Sequence, residues 1–194
     1  MLTNNISKSK LSGKNIGIYF GTFAPLHTGH QQQIYKCASL NDGVLLVVSG
    51  YDNDRGPKLV CPLKNVFYLR ELLMMKKILK SRLNENDLPE MPNGWDEWAN
   101  RLFELIHHNT LENDLSVTFY VGELEYAAEL KKRFPADGNQ YAVEIADRHD
   151  ISLSATQIRE NPQEHWTHIN RVFRRHFSKV VTVMGSASGK NNSC

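Results

Sequence analysis

Asn15-Ile16-Gly17-Ile18-Tyr19-Phe20-Gly21-Thr22-Phe23-Ala24-Pro25-Leu26-His27-Thr28-Gly29-His30 is the stretch that decides how this chain folds. Its first six residues read as a buried strand that ends at Gly21. A helix from Gly29 to about Leu40 follows, then a second apolar strand, Val44-Leu45-Leu46-Val47-Val48. Strand, short helix and apolar strand in succession are the signature of a βαβ unit, and so of a parallel sheet. Gly21 and Gly29 allow tight turns and the close approach of a ligand to the backbone, while Pro25 stiffens the loop between them. The start of the helix presents free N–H groups and a partial positive charge, a setting that suits phosphate. His27 and His30 are three apart and share a face if the turn between them is helical. Two imidazoles aimed at a polyphosphate can donate hydrogen bonds to oxygens where charge grows as a bond breaks. Surface or capping histidines are the plainer alternative. The coincidence of strand end, glycines, helix start and both histidines argues against it.

The same alternation continues outward. Pro62 opens a long amphipathic helix, Leu63 to Lys80, with Phe67, Leu69, Leu72, Leu73 and Leu79 among its apolar positions. Ser81 to Gly94 reads as a polar connection, and Trp95 to His107 as a helix. Ser116 to Val121 is the next strand, Glu125 to Phe134 the next helix, and Tyr141 to Ile145 a shorter strand. The expectation is an α/β fold, one domain built on a doubly wound parallel sheet, with sites at the carboxyl ends of its strands. The domain is expected over residues 14 to 178. A disordered leader rich in Asn, Ser and Lys would precede it at 1 to 13, and a phosphate-loop-like segment would follow at 179 to 194.

Composition narrows the classes of function. A net charge of +2 over 194 residues gives no case for nucleic acid as a partner. No run approaches the ~18 to 20 apolar residues of a membrane helix, so no membrane partner is expected. Met1 to Lys14 lacks the apolar segment of a secretory signal. Cys37, Cys61 and Cys194 form no CxxC and no disulfide framework, which fits a reducing cytoplasm. A homo-oligomer stays open.

A second motif comes late: Ile151-Ser152-Leu153-Ser154-Ala155-Thr156-Gln157-Ile158-Arg159. Its hydroxyls are placed to cap a new helix, with Arg159 three residues beyond Thr156. Ser154, Thr156 and the helix start can grip phosphate oxygens, and Arg159 can bind them in a fork. An ordinary N-cap with a solvated arginine would look the same in isolation. Taken together, Gly21 to His30 resembles G-x-F-x-P-x-H-x-G-H of the nucleotidyltransferase superfamily. The string S-A-T-Q-I-R resembles the I-S-x-T-x-I-R signature of its adenylyltransferase branch. The R-T-x-G-x-S/T string of the cytidylyltransferases is absent. The resemblance implies that His27, His30 and Arg159 hold the triphosphate of ATP and ease pyrophosphate away, with Gly21, Gly29, Ser154 and Thr156 also on ATP. Thr22 and Phe23 would line the pocket of the attacking phosphate compound.

Further segments resemble the nicotinamide-mononucleotide adenylyltransferase domain of NadR-type proteins. Pro92-Asn93-Gly94-Trp95-Asp96-Glu97-Trp98 resembles a P-N-G-W-x-x-W segment of that family. An indole beside a polar turn suits a cationic pyridinium ring. The resemblance puts Asn93, Trp95 and Trp98 on the mononucleotide and favours Trp98 for stacking. Two core tryptophans at i and i+3 are the alternative. Arg55 and Lys58 match basic positions in the family loop after strand two, where they would neutralise the mononucleotide phosphate or the triphosphate; a solvated basic loop is the alternative. Asp147 and Arg148, with Gly122 and Glu123 at the end of strand Ser116 to Val121, would border the adenosine. In this family a ribosylnicotinamide kinase begins near Lys179 to Lys190. Here Met184 takes the first glycine position of G-x-x-x-x-G-K-[ST] and Asn191 the Ser or Thr position, so a degenerate, truncated loop without kinase activity is expected.

The reaction implied is ATP plus nicotinamide mononucleotide giving NAD and pyrophosphate. Its cofactor would be magnesium, held mainly by substrate phosphates and water. No Ser/His/Asp or Cys/His nucleophile is evident. No zinc-site spacing occurs, His165 and His168 carry little signal, and Arg171, Arg174 and Arg175 suggest a solvated helix face. The competing readings are another phosphate acceptor such as phosphopantetheine, and a non-catalytic NAD-binding regulatory module.

Overall fold

β1 (Asn15–Gly21) alternates its side chains between two apolar layers, and this sets the architecture. Ile16 and Ile18 enter one cluster with Leu45, Val47, Trp98, Leu102, Val117 and Phe119. Tyr19 enters another with Ile34, Cys37, Val44, Leu46, Val48 and Tyr120. A strand buried on both faces is what a parallel sheet covered by helices on each side requires. The computed structural model describes residues 10–51, 77–146 and 153–178.

In those residues five parallel strands lie in the order β3-β2-β1-β4-β5, where β2 is Gly43–Gly50, β3 Ile78–Asn84, β4 Ser116–Val121 and β5 Gln140–Ile145. α1 (Thr28–Leu40) covers one face. α2 (Trp95–Asn109) covers the other, with α3 (Leu124–Lys131) contributing Ala127 and Leu130 to the same cluster. Two short helices, α4 (Ala155–Glu160) and α5 (Arg171–Arg174), close the α1 side through Ile158 and Phe173. β1 packs between β2 and β4, so the strand order reverses beside it. In doubly wound sheets that reversal opens a crevice at the carboxyl ends, where Gly21 lies.

α1 sits close against β1. A Cβ at Gly17 would come within 2.4 Å of Cys37 Sγ and 2.8 Å of Asn41 Nδ2. Asn41 Nδ2 donates to the Cys37 carbonyl at 2.8 Å and to Tyr120 Oη at 2.9 Å, which ties the end of α1 to β4. Burial pushes the Cys37 thiol up to about 12, with Glu144 adding to the rise.

Four expectations change. The amphipathic pattern from Leu63 to Lys80 lies outside the described residues up to position 76, but its last part, Ile78-Leu79-Lys80, is strand rather than helix. The connection drawn from Ser81 begins inside that same strand. β3 is an edge strand, and its exposed polar positions hide it from pattern reading. Leu11, assigned to the leader, is 4% exposed: its N–H donates to Asn109 O at 2.8 Å, and its carbonyl accepts from Leu111 N at 3.0 Å. The ordered fold therefore includes part of that segment. The helix expected to reach Phe134 ends at Lys131.

Candidate active site

The loop Thr22 to Leu26 leaves β1 and delivers His27 to the N-cap of α1. Phe23 adopts φ 49°, a left-handed conformation unfavourable for a bulky residue. Its ring, 2% exposed, rests 5.6 Å from Tyr19 and 5.1 Å from His30 between ring centroids. Phe23 is thus a buried wedge under the histidines. Gly21, Thr22, Gly29 and His30 are half-buried around the same turn.

His27 and His30 stack with ring centroids 3.8 Å apart. The Gly29 N–H donates to His27 Nδ1 at 3.2 Å. A nitrogen that accepts carries no proton, so the neutral ring keeps its hydrogen on Nε2. Burial pushes the His27 pKa down to about 4, and a charge on His168 lowers it further. At neutral pH His27 is therefore a neutral donor through Nε2–H.

The second motif reaches the first directly. Ser154 makes a capping box at the start of α4: its Oγ accepts from Gln157 N at 3.2 Å, and its N–H donates to Gln157 Oε1 at 2.7 Å. Arg159 Nη1 donates to the Ala24 carbonyl at 2.9 Å, 135 residues away, and Nη2 to Thr156 Oγ1 at 2.8 Å. The arginine and the Thr156 hydroxyl thus brace the histidine loop.

A third strand of chain, unmarked in the sequence, completes the turn. Ile169 forms an antiparallel bridge with His27, and Asn170 N donates to Leu26 O at 3.1 Å. His168 Nδ1 lies 3.1 Å from Thr28 Oγ1. The spacing of His165 and His168 carried little signal because the pairing spans 140 residues. Arg174, expected to be solvated, is half-buried: Nε donates to Ile169 O at 3.1 Å and its guanidinium lies 5.5 Å over the Trp166 ring.

The tryptophans expected to stack on a pyridine ring sit inside the fold. Trp95 and Trp98 are 4% and 1% exposed and belong to the core. Their rings pack edge-on to each other and to Tyr126, and Trp98 also meets Phe20 at 5.1 Å. Trp98 Nε1 donates to Glu85 Oε1 at 2.9 Å and to Ser49 Oγ at 3.2 Å, and the Ser49 hydroxyl donates to the same carboxylate. A buried indole needs a partner for its N–H, and Glu85 and Ser49 supply it. Asn93 is exposed in the turn before α2, with its N–H on Glu90 O at 3.0 Å. Gly122 and Glu123 are exposed just beyond β4, Glu123 at the N-cap position of α3. Arg55, Lys58, Asp147, Arg148 and the segment from 179 onward lie outside the described residues.

No family model matches the chain. The chain is homologous to the trifunctional NAD biosynthesis/regulator protein NadR of Escherichia coli strain K12, with 29% identity over 189 residues, 92% of this chain and 44% of that protein. A NadR protein crystallised in complex with NAD and AMP-PNP is 88% identical, with a TM-score of 0.84 over 94% of this chain and 52% of that one. The chain spans about half the length of these relatives. A bifunctional NMN adenylyltransferase/ADP ribose pyrophosphatase from Francisella tularensis, 12% identical with a TM-score of 0.57, covers 85% of this chain and 48% of its own length. It shares the α/β fold of this chain.

Proposed function

We propose that this chain joins ATP and nicotinamide mononucleotide into NAD and pyrophosphate, by in-line attack of the mononucleotide phosphate on the α-phosphorus. The reading rests on the Arg159 bond to the Ala24 carbonyl, which puts both motifs at one turn beside the sheet's switch point. The related NadR protein that binds NAD and AMP-PNP supports the choice of substrates.

The nucleophile is itself a phosphate with a second pKa of about 6, so it is largely dianionic at neutral pH and no protein base is required. The protein's work is positioning and charge stabilisation. His27 donates through Nε2–H, His30 shares its stack, and Arg159 brings a permanent positive charge to the same turn. Magnesium would supply further charge when bound on the substrate phosphates. Among the described residues no group of three or more His, Cys, Asp and Glu converges on a metal position.

Pyrophosphate release from ATP is the deciding assay, run with nicotinamide mononucleotide, nicotinate mononucleotide and phosphopantetheine as acceptors. Preference for nicotinamide mononucleotide supports the proposal, and preference for phosphopantetheine rejects it. A chain that binds NAD yet releases no pyrophosphate is a regulatory module instead. His30→Ala should lower the rate by ~10²- to 10³-fold while leaving thermal stability nearly unchanged. Turnover equal to the parent would remove His30 from the mechanism.

A further inference from the structure

We infer that His168 is a positioning residue of the histidine turn, holding the Thr28 hydroxyl and through it the first turn of α1 in the geometry that presents His27 and His30. The inference rests on the adenylyl-transfer reading for its catalytic consequence, but not for its geometry.

Thr28 is the first residue of α1, between His27 at the N-cap and Gly29, whose N–H is committed to His27 Nδ1. Whatever fixes Thr28 therefore fixes the bond that sets the His27 tautomer. His168 Nδ1 meets Thr28 Oγ1 at 3.1 Å, and the bond forms whichever partner supplies the proton. The ring is carried on a firm segment. Ile169, 1% exposed, pairs with His27, and its carbonyl takes Arg174 Nε at 3.1 Å, while Asn170 N holds Leu26 O at 3.1 Å. One backbone bridge and one side-chain link thus join this segment to residues 26–28. The electrostatic influence of His168 on His27 agrees with this proximity. A polyphosphate approaching the turn pulls on the helix start and on both imidazoles. A bonded Thr28 keeps that turn from unwinding as charge develops. Displacement by about 1 Å of a group that stabilises the transition state can cost up to ~10²-fold, so a modest loosening has a measurable rate effect.

The test uses the full chain and two variants. His168→Phe keeps a planar ring but removes the hydrogen bond. His168→Asn places an amide O or N where Nδ1 stood. Two measurements are made: kcat and KM for ATP, and the ring nitrogen resonances of His27 by nitrogen-15 NMR. We expect kcat about tenfold lower in His168→Phe, KM for ATP within about threefold of the parent, and most of the rate regained in His168→Asn. The His27 resonances should shift in the Phe variant and return in the Asn variant. Unchanged kcat and unchanged His27 resonances in His168→Phe overturn the inference. So does an equal loss in both variants accompanied by an equal fall in melting temperature, the mark of packing alone. If the parent chain releases no pyrophosphate, the adenylyl-transfer reading falls. The His27 spectrum then still judges His168: a shift restored by Asn sustains it, and no shift ends it.

Discussion

His27 shows how far one residue's chemistry depends on its neighbours. Its position in the motif underlies the phosphate-facing role proposed for it, while its burial and the Gly29 N–H give it a protonation state and a tautomer. The consequence for stability has a definite sign. The folded pKa, about 4, lies below the ordinary 6.5, so between those values the unfolded chain takes up a proton that the folded chain refuses. Stability attributable to His27 is complete above about pH 6.5, falls as pH drops toward 4, and levels off below. Converting that shift at about 1.4 kcal/mol per pH unit bounds the loss at roughly 3 kcal/mol. Urea denaturation from pH 7.5 to 4 should show a shallower acid slope in His27→Gln than in the parent. Parallel slopes would mean that the ring is charged in the folded protein.

At the scale of elements, the approach of α1 to β1 is set by two small side chains and one missing one. Gly17 leaves room for Cys37 Sγ, and Asn41 spans from the helix end to β4. Gly17→Ala should destabilise the chain by about 1 to 3 kcal/mol, the usual cost of overpacking. Adding Cys37→Ala should recover part of it, because the sulfur is the nearest obstacle. A double variant no more stable than Gly17→Ala would shift the blame to Asn41. Element recognition from sequence followed the same logic of burial. β1, β2 and β4 are interior strands with apolar runs, and they were legible from the sequence. β3 was not: Lys80, Ser81 and Arg82 face partly outward at the edge of the sheet, so the run has neither an apolar stretch nor a clean alternation of two.

For the molecule as a whole, the fold is closed by links that sequence distance conceals. Leu11 joins the chain ahead of β1 to the end of α2, and residues 168–170 join the last part of the described domain to residues 26–28. Leu11→Ala should lower stability by about 2 to 5 kcal/mol, the range for deleting a buried leucine side chain, without changing the KM for either substrate. A variant as stable as the parent would make the Leu11 contact incidental. A variant of normal stability with an altered KM would tie the segment to the site instead.

The sequence by itself determined the parallel α/β alternation, the histidine turn at the end of β1 and the capped helix that carries Arg159. Each is a local pattern, written in the periodicity, glycine placement and capping of neighbouring residues. Tertiary structure alone decided what those residues face. It turned Arg159 onto the Ala24 carbonyl, gave His27 its neutral Nε2–H form, and brought in His168 as a partner for Thr28. It also buried Trp95 and Trp98, because an indole beside a polar turn reads alike whether its face meets a ligand or another ring. Burial and hydrogen-bond partners are set by contacts between residues tens to more than a hundred positions apart, and no local pattern encodes that separation.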